Sequence, residues 1–139
     1  MRFVDRQPTT KRSTEQFTGD VWLDPVYSGA DPLRGRVNLV RFAPGARTHW
    51  HRHALGQTLR VVTGTALVGT RDGVVFEARE GETVECSPNE DHWHGAAPDS
   101  FMTHLAIWES DGSGAPETTW LEPVDDAQYA APRTRPAAR

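Results

Sequence analysis

The amino-acid sequence predicts an all-β fold, a sandwich or barrel, formed by one domain. Strand-like runs recur about every eight to twelve residues, the spacing of such folds. Clusters of Gly, Pro, Asn and Asp separate them, and these are the residues that turns favour. Almost no segment carries apolar residues at helical spacing. With 139 residues, the chain is long enough to bury a single core.

The elements follow in chain order. Residues 1–16 are polar and without period, and read as an arm. A first strand is expected at 21–23, closed by Asp24-Pro25, and YSGADPLRG (27–35) is dense enough in turn formers to be a loop. VNLVRF (37–42) is strand-like, APGA (43–46) a turn, and HWHRH (49–53) continues as strand. Residues 54–56 break the run, and a new strand covers 57–63. TALVGT and GVVFEA flank Arg71-Asp72-Gly73, a hairpin with an Asp-Gly turn signal. Glu80-Gly81 opens another turn, TVEC (83–86) is a strand, SPNED (87–91) a loop, and FMTHLAIW (101–108) a further strand. A short helical turn fits near 125–129. The end, AAPRTRPAAR, is biased to Ala, Pro and Arg and reads as partly disordered. This gives an arm at 1–16, a barrel at 17–125 and a tail at 126–139.

Composition excludes several classes of function. The net charge is −4, and arginines gather only in the last residues, so no nucleic-acid partner is expected. No apolar run reaches the length of a membrane span. The opening MRFVDRQPTTKRST lacks the apolar core of a signal peptide, which makes the cytoplasm the expected location. Cys86 is the single cysteine and cannot form an internal disulfide, in keeping with a reducing compartment. Its place in TVEC reads as a small buried residue rather than a reactive thiol.

The chemistry concentrates in GARTHWHRHALGQTLRVVTG (45–64). Three of the six histidines alternate there, at His49, His51 and His53, and Gln57 follows a glycine break. On a strand, residues two apart share a face and are separated by about 6.6 Å. Two imidazoles so placed can converge on one ion. A second cluster, DHWHG, puts His92 and His94 on one face, and His104 lies on the strand after it. A lone histidine in a β protein is more often a hydrogen-bonded core or surface residue than a ligand. Two His-x-His pairs in so short a chain, each beside a glycine-marked turn, favour a metal site.

The segment resembles the first motif of the cupin superfamily: Gly, five residues, His-x-His, three or four residues, Glu, six residues, Gly. Gly45, His51, His53 and Gly64 match in register, with Gln57 in place of the Glu. The second motif is Gly, five residues, Pro-x-Gly, two residues, His, three residues, Asn. Gly81 and His92 match it, while Ser87, Asn89 and Ala96 replace its Pro, Gly and Asn. Asn89 suits the replacement, because asparagine tolerates the left-handed conformation of a tight turn. The resemblance implies a single-domain cupin, a double-stranded β-helix or jelly-roll barrel, with one divalent ion held by His51, His53, Gln57 and His92. Manganese leads, and iron, nickel and zinc suit the same donors.

A closer likeness comes from GARTxWHxHxLGQTL, P-x-E-x-HWHGAAP and MTHLAI. Together they resemble small bacterial cupins that include manganese-dependent hydroxynitrile lyases and carboxymuconolactone-decarboxylase-associated cupins. The likeness implies that His104 acts as acid or base toward the substrate oxygen. His94 is either a neighbour in the cavity or a hydrogen-bonded rim residue. His49 belongs at the mouth or behind the ligands, and Asn38, Val40 and Trp108 are candidate pocket residues. Trp108 departs from the polar glutamine of the lyases, as do Asn38 and His49 from smaller residues.

Three neutral imidazoles and a neutral amide leave an ion its full charge, which favours Lewis-acid over redox chemistry. The function expected is cleavage or formation of small cyanohydrins. The alternatives are an Fe- or Mn-dependent dioxygenase or a cyclase or isomerase on an aromatic or polyketide substrate, and a non-catalytic module that binds a small molecule through its metal. The expected partners are a small-molecule substrate and, by the resemblance, a second copy in a homodimer.

Overall fold

A computed structural model describes residues 1–137. Among the described residues, fourteen strands and one short helix follow one another: β1 (Thr10–Lys11), β2 (Phe17–Thr18), β3 (Val21–Ser28), β4 (Gly35–Phe42), β5 (Arg47–Thr48), β6 (His51–His53) and β7 (Gln57–Thr63). Then come β8 (Thr65–Thr70), β9 (Val75–Arg79), β10 (Thr83–Cys86), β11 (His92–Ala96), β12 (Met102–Glu109), β13 (Thr118–Trp120), α1 (Asp126–Tyr129) and β14 (Arg133–Thr134). One sheet has the order β1-β3-β4-β12-β7-β10. The other runs β13-β6-β11-β8-β9-β14, with β5 attached to β11 and β2 to β5. The two sheets face each other as a barrel, the all-β cupin architecture expected.

Alternation decides what enters the barrel. On β12, Met102, His104 and Ala106 are buried while their neighbours are only partly so. On β7 the buried positions are Gln57, Leu59 and Val61. The inward apolar side chains, among them Phe42, Leu59, Val61, Ala66, Val68, Ala96 and Met102, form the main core. Phe42, Leu59 and Met102 are essentially inaccessible, and each such burial contributes about 1.5–3 kcal/mol. The opposite parity of β11 faces away from the barrel. There Trp93 joins Trp50, Leu67, Val75 and Val124 in a second cluster, covered by Leu121, Tyr129 and Ala131.

Several boundaries differ from expectation. Asp24-Pro25 does not close the first strand. β3 continues to Ser28 and shifts register between Pro25 and Tyr27 in its ladder with β4. On its other side β3 pairs with β1 only at Trp22 and Leu23, so Pro25 meets no partner there that needs its missing N–H. Residues 49 and 50 leave the strand, which resumes at His51. The hairpin forms as expected, Thr65 opposite Arg79, with Gly73 at φ 83°. Asn89 adopts φ 60°, and its N–H donates to the His53 carbonyl at 2.8 Å. The turn is thereby pinned to the strand that carries the histidines.

The end of the chain, expected to be partly disordered, is attached as far as it is described. Buried Arg47 donates to the Val124 carbonyl at 3.0 and 3.2 Å and to Asp126 Oδ1 at 3.0 Å. Asp125 caps α1 through a capping box with Gln128. β14 pairs in parallel with β9. Residues 138–139 of the expected tail lie outside the described residues. Cys86 is buried, and burial pushes its thiol up to about 12, which makes it inert. No helix is long and apolar enough to cross a membrane among the described residues.

Candidate metal centre

Three strands bring the cluster together. β6 supplies His51 and His53, the start of β7 supplies Gln57, and β11 supplies His92, which lies opposite His51 in the ladder. The ring nitrogens of His51, His53 and His92 lie within 4.8 Å of one another, all three side chains buried. Gln57 Oε1 sits 3.0 Å from His92 Nε2.

Backbone carbonyls fix which nitrogen each ring presents. His51 Nδ1–H donates to the His49 carbonyl at 2.9 Å, and His92 Nδ1–H donates to the Glu90 carbonyl at 2.9 Å. Both neutral rings therefore turn a bare Nε2 lone pair inward. His53 Nδ1 lies 3.3 Å from Thr118 Oγ1, and its Nε2 is buried without a partner. With Oε1 toward His92, two acceptors face each other. Either the amide is turned over or a cation lies between them. Two donors about 2.1 Å from one ion, at right angles, are about 3 Å apart, which is the spacing seen. The donor set is neutral: burial lowers His53 to about 4, with the His92 imidazole adding to the effect. Burial drives His51 well below the ordinary imidazole range and lowers His92 as well. Neutral imidazoles are the form that binds metals. The cluster fits one divalent ion.

Beside it lies a cavity of about 70 Å³, lined on one side by His51, His53, Gln57 and His94. Asn38, Val40 and Trp108, the pocket residues expected from sequence, line it too. His104 does not line it. That residue is wholly inaccessible, packs against Phe42 with ring centroids 5.2 Å apart, and hydrogen-bonds His94 Nδ1 through its Nε2 at 2.8 Å. His94 Nε2 and His104 Nδ1 are buried without partners. Burial holds His104 down to about 4 and drives His94 well down, helped by the His104 imidazole.

His49, expected at the mouth or behind the ligands, does not line the cavity. The chain leaves the strand at 49–50, so the parity shared with His51 in sequence is lost. Its carbonyl still orients the His51 ring, while its own N–H donates to the Gln16 carbonyl at 2.8 Å. Sequence reading missed other parts of the wall. Phe17, Thr48, Thr118 and Trp120 line the cavity from β2, β5 and β13, strands too short to show a period. Arg36, although it does not line the cavity, could also have been singled out: it shares the inward parity of Asn38 and Val40, where a charge needs a partner.

Fold and site together define a β-barrel protein with a metal-ready, histidine-rich interior. The chain belongs to the cupin family, whose cupin domain matches residues 38–108. A curated relative, an (R)-mandelonitrile lyase from Granulicella tundricola, is 46% identical over 127 residues, 91% of this chain and 95% of that protein. Among solved structures, a cupin-like protein from Thermotoga maritima is 35% identical with a TM-score of 0.80, covering 93% of this chain and 95% of that one. The polyketide cyclase RemF from Streptomyces resistomycificus shares the fold at 18% identity and a TM-score of 0.68, over 93% and 90% of the two chains.

Proposed function

We propose that this cupin cleaves and forms small cyanohydrins, with manganese held by His51, His53, Gln57 and His92. The observation that carries the reading is the hydrogen-bonded imidazole pair His94–His104 beside a neutral three-histidine, one-glutamine cluster. The 46% identity to a mandelonitrile lyase supports it. When bound, a divalent ion supplies Lewis acidity toward the substrate oxygen, undiminished by any ligand charge.

The protein's own groups then move the proton. His94 faces the cavity, and His104 lies behind it. In the tautomer where His94 Nδ1–H donates to His104 Nε2, His94 Nε2 is bare and acts as the base. It takes the hydroxyl proton as the oxygen's electrons form the carbonyl. The C–CN bond breaks, and its electron pair leaves with cyanide. His94 is then an imidazolium whose Nδ1–H is still accepted by His104, which stabilises the charge. Cyanide takes the proton from His94 Nε2 and leaves as hydrogen cyanide. His104 therefore serves through His94 rather than on the substrate, a shift from the role its sequence position implied.

Phe17, Leu23, Val40, Trp108 and Trp120 exclude water around this pair, while Asn38, Thr48 and Thr118 offer polar contacts. The reading includes a cytoplasmic homodimer, an assembly that light scattering tests. Manganese-loaded protein should release cyanide from acetone cyanohydrin, and metal-free protein should not. Oxygen uptake on a catechol with no cyanide release would move the assignment to the dioxygenase class.

A further inference from the structure

We propose that Glu117, clamped by Arg36, is a positioning residue that fixes the Trp108 indole as a size gate, restricting the cavity to small aliphatic substrates. The proposal deepens the cyanohydrin reading and rests on it for the reaction.

Arg36 and Trp108 lie directly opposite each other in the β4–β12 ladder. Both reach the same carboxylate. Arg36 Nε and Nη2 donate to Glu117 Oε1 at 3.1 and 2.8 Å, and Trp108 Nε1–H donates to Oε2 at 2.9 Å. Glu117 immediately precedes β13, which belongs to the other sheet through β6. One carboxylate therefore ties the two sheets together behind Trp108, the member of the three that lines the cavity.

The clamp is well placed to act on size. The Trp108 ring centroid is 5.5 Å from that of His53, so the indole lies against an imidazole of the metal cluster. The side chains of Arg36 and Glu117 are 19% and 26% exposed, which removes much of the water that competes with such a pair. Next along the chain, Thr118 Oγ1 meets His53 Nδ1. A cavity of about 70 Å³ falls far below the roughly 300–1,000 Å³ of drug-sized sites. An aromatic occupant needs the indole to turn aside, and the bond to Glu117 opposes that turn.

The test uses ligands that need no turnover. Acetate, isobutyrate and benzoate present a carboxylate to the same cation at increasing bulk. Their affinities for metal-loaded protein are measured by calorimetry. Wild type should bind benzoate at least about tenfold more weakly than isobutyrate, the scale of a pocket-size penalty. Glu117→Ala should remove most of that gap. Trp108→Phe, which keeps a ring but lacks the N–H, should do the same. Glu117→Gln, which keeps an acceptor oxygen, should preserve the gap. In zinc-loaded protein, hydrogen exchange at the Trp108 indole N–H should quicken in Glu117→Ala and stay slow in Glu117→Gln. A flat size ladder in wild type, or a ladder and exchange rate unmoved by Glu117→Ala, would overturn the gate. The two readings fail separately. Absent cyanide release with an intact ladder removes only the lyase, whereas a flat ladder in protein that releases cyanide removes only the gate.

Discussion

Metal-free protein should lose stability steeply in mild acid, and one buried histidine should account for a defined share of the loss. His104 is inaccessible and burial holds it down to about 4, against 6.5 for an imidazole in the unfolded chain. Below pH 6.5 the unfolded chain takes up a proton that the folded chain refuses. Stability therefore falls as pH drops from 6.5, with a slope approaching about 1.4 kcal/mol per pH unit. The contribution levels off below the folded value. Integrated from neutrality down to pH 4, the loss from this one group is about 3 kcal/mol. That is a large share of the roughly 5–15 kcal/mol that keeps a domain folded. His104→Gln keeps a hydrogen-bonding partner for His94 and does not titrate. Urea unfolding of chelator-treated wild type and variant is measured at pH 7.5, 6, 5 and 4.5. Carboxylates titrate in both proteins, so the difference between the two curves reports His104 together with its effect on His94. That difference should move in the variant's favour by about 2.5 kcal/mol between pH 7.5 and 4.5. Parallel curves would refute the burial argument, because His104 would then be protonated at no cost to the fold.

Other outcomes follow from the same geometry. His51→Ala and His92→Ala should emerge without bound metal, whereas His104→Ala, which leaves His94 Nδ1 without a partner, should retain it and lose turnover by about a hundredfold or more; metal analysis of each purified protein decides the first part. Gln57→Glu should retain metal but slow cyanide release by about tenfold, equivalent to about 1.4 kcal/mol, because a carboxylate cancels part of the ion's charge. Equal or faster release would defeat that charge argument. Gly69→Ala should destabilise by about 1–3 kcal/mol, read from the urea midpoint, because its new Cβ would stand 2.1 Å from Trp93 Nε1.

The parts of this molecule legible in the sequence are those where a local rule and the tertiary structure agree. Alternation on β12 announced that Met102, His104 and Ala106 share a face, and that face is buried. The Asp-Gly turn fixed the β8–β9 hairpin, and Asn89 occupies the left-handed turn its identity favours. His-x-His on a strand placed two imidazoles side by side before any partner strand was known. Illegible features depend on what lies across the barrel. Parity could not carry His49 into the cavity, since the chain leaves the strand at 49–50. Nor could it distinguish which of His94 and His104 meets the cavity, because both sit at inward positions and only their mutual hydrogen bond orders them. Glu117 is the clearest case. It lies in a glycine-rich loop region whose composition reads as a solvated turn, yet its carboxylate meets an arginine and an indole from the opposite sheet. A local pattern reports which face a side chain takes, whereas a site built between two sheets is decided by which faces meet. That is why spacing put the histidine pairs of β6 and β11 on shared faces, and could not show that Glu117 meets Arg36 and Trp108 across the barrel.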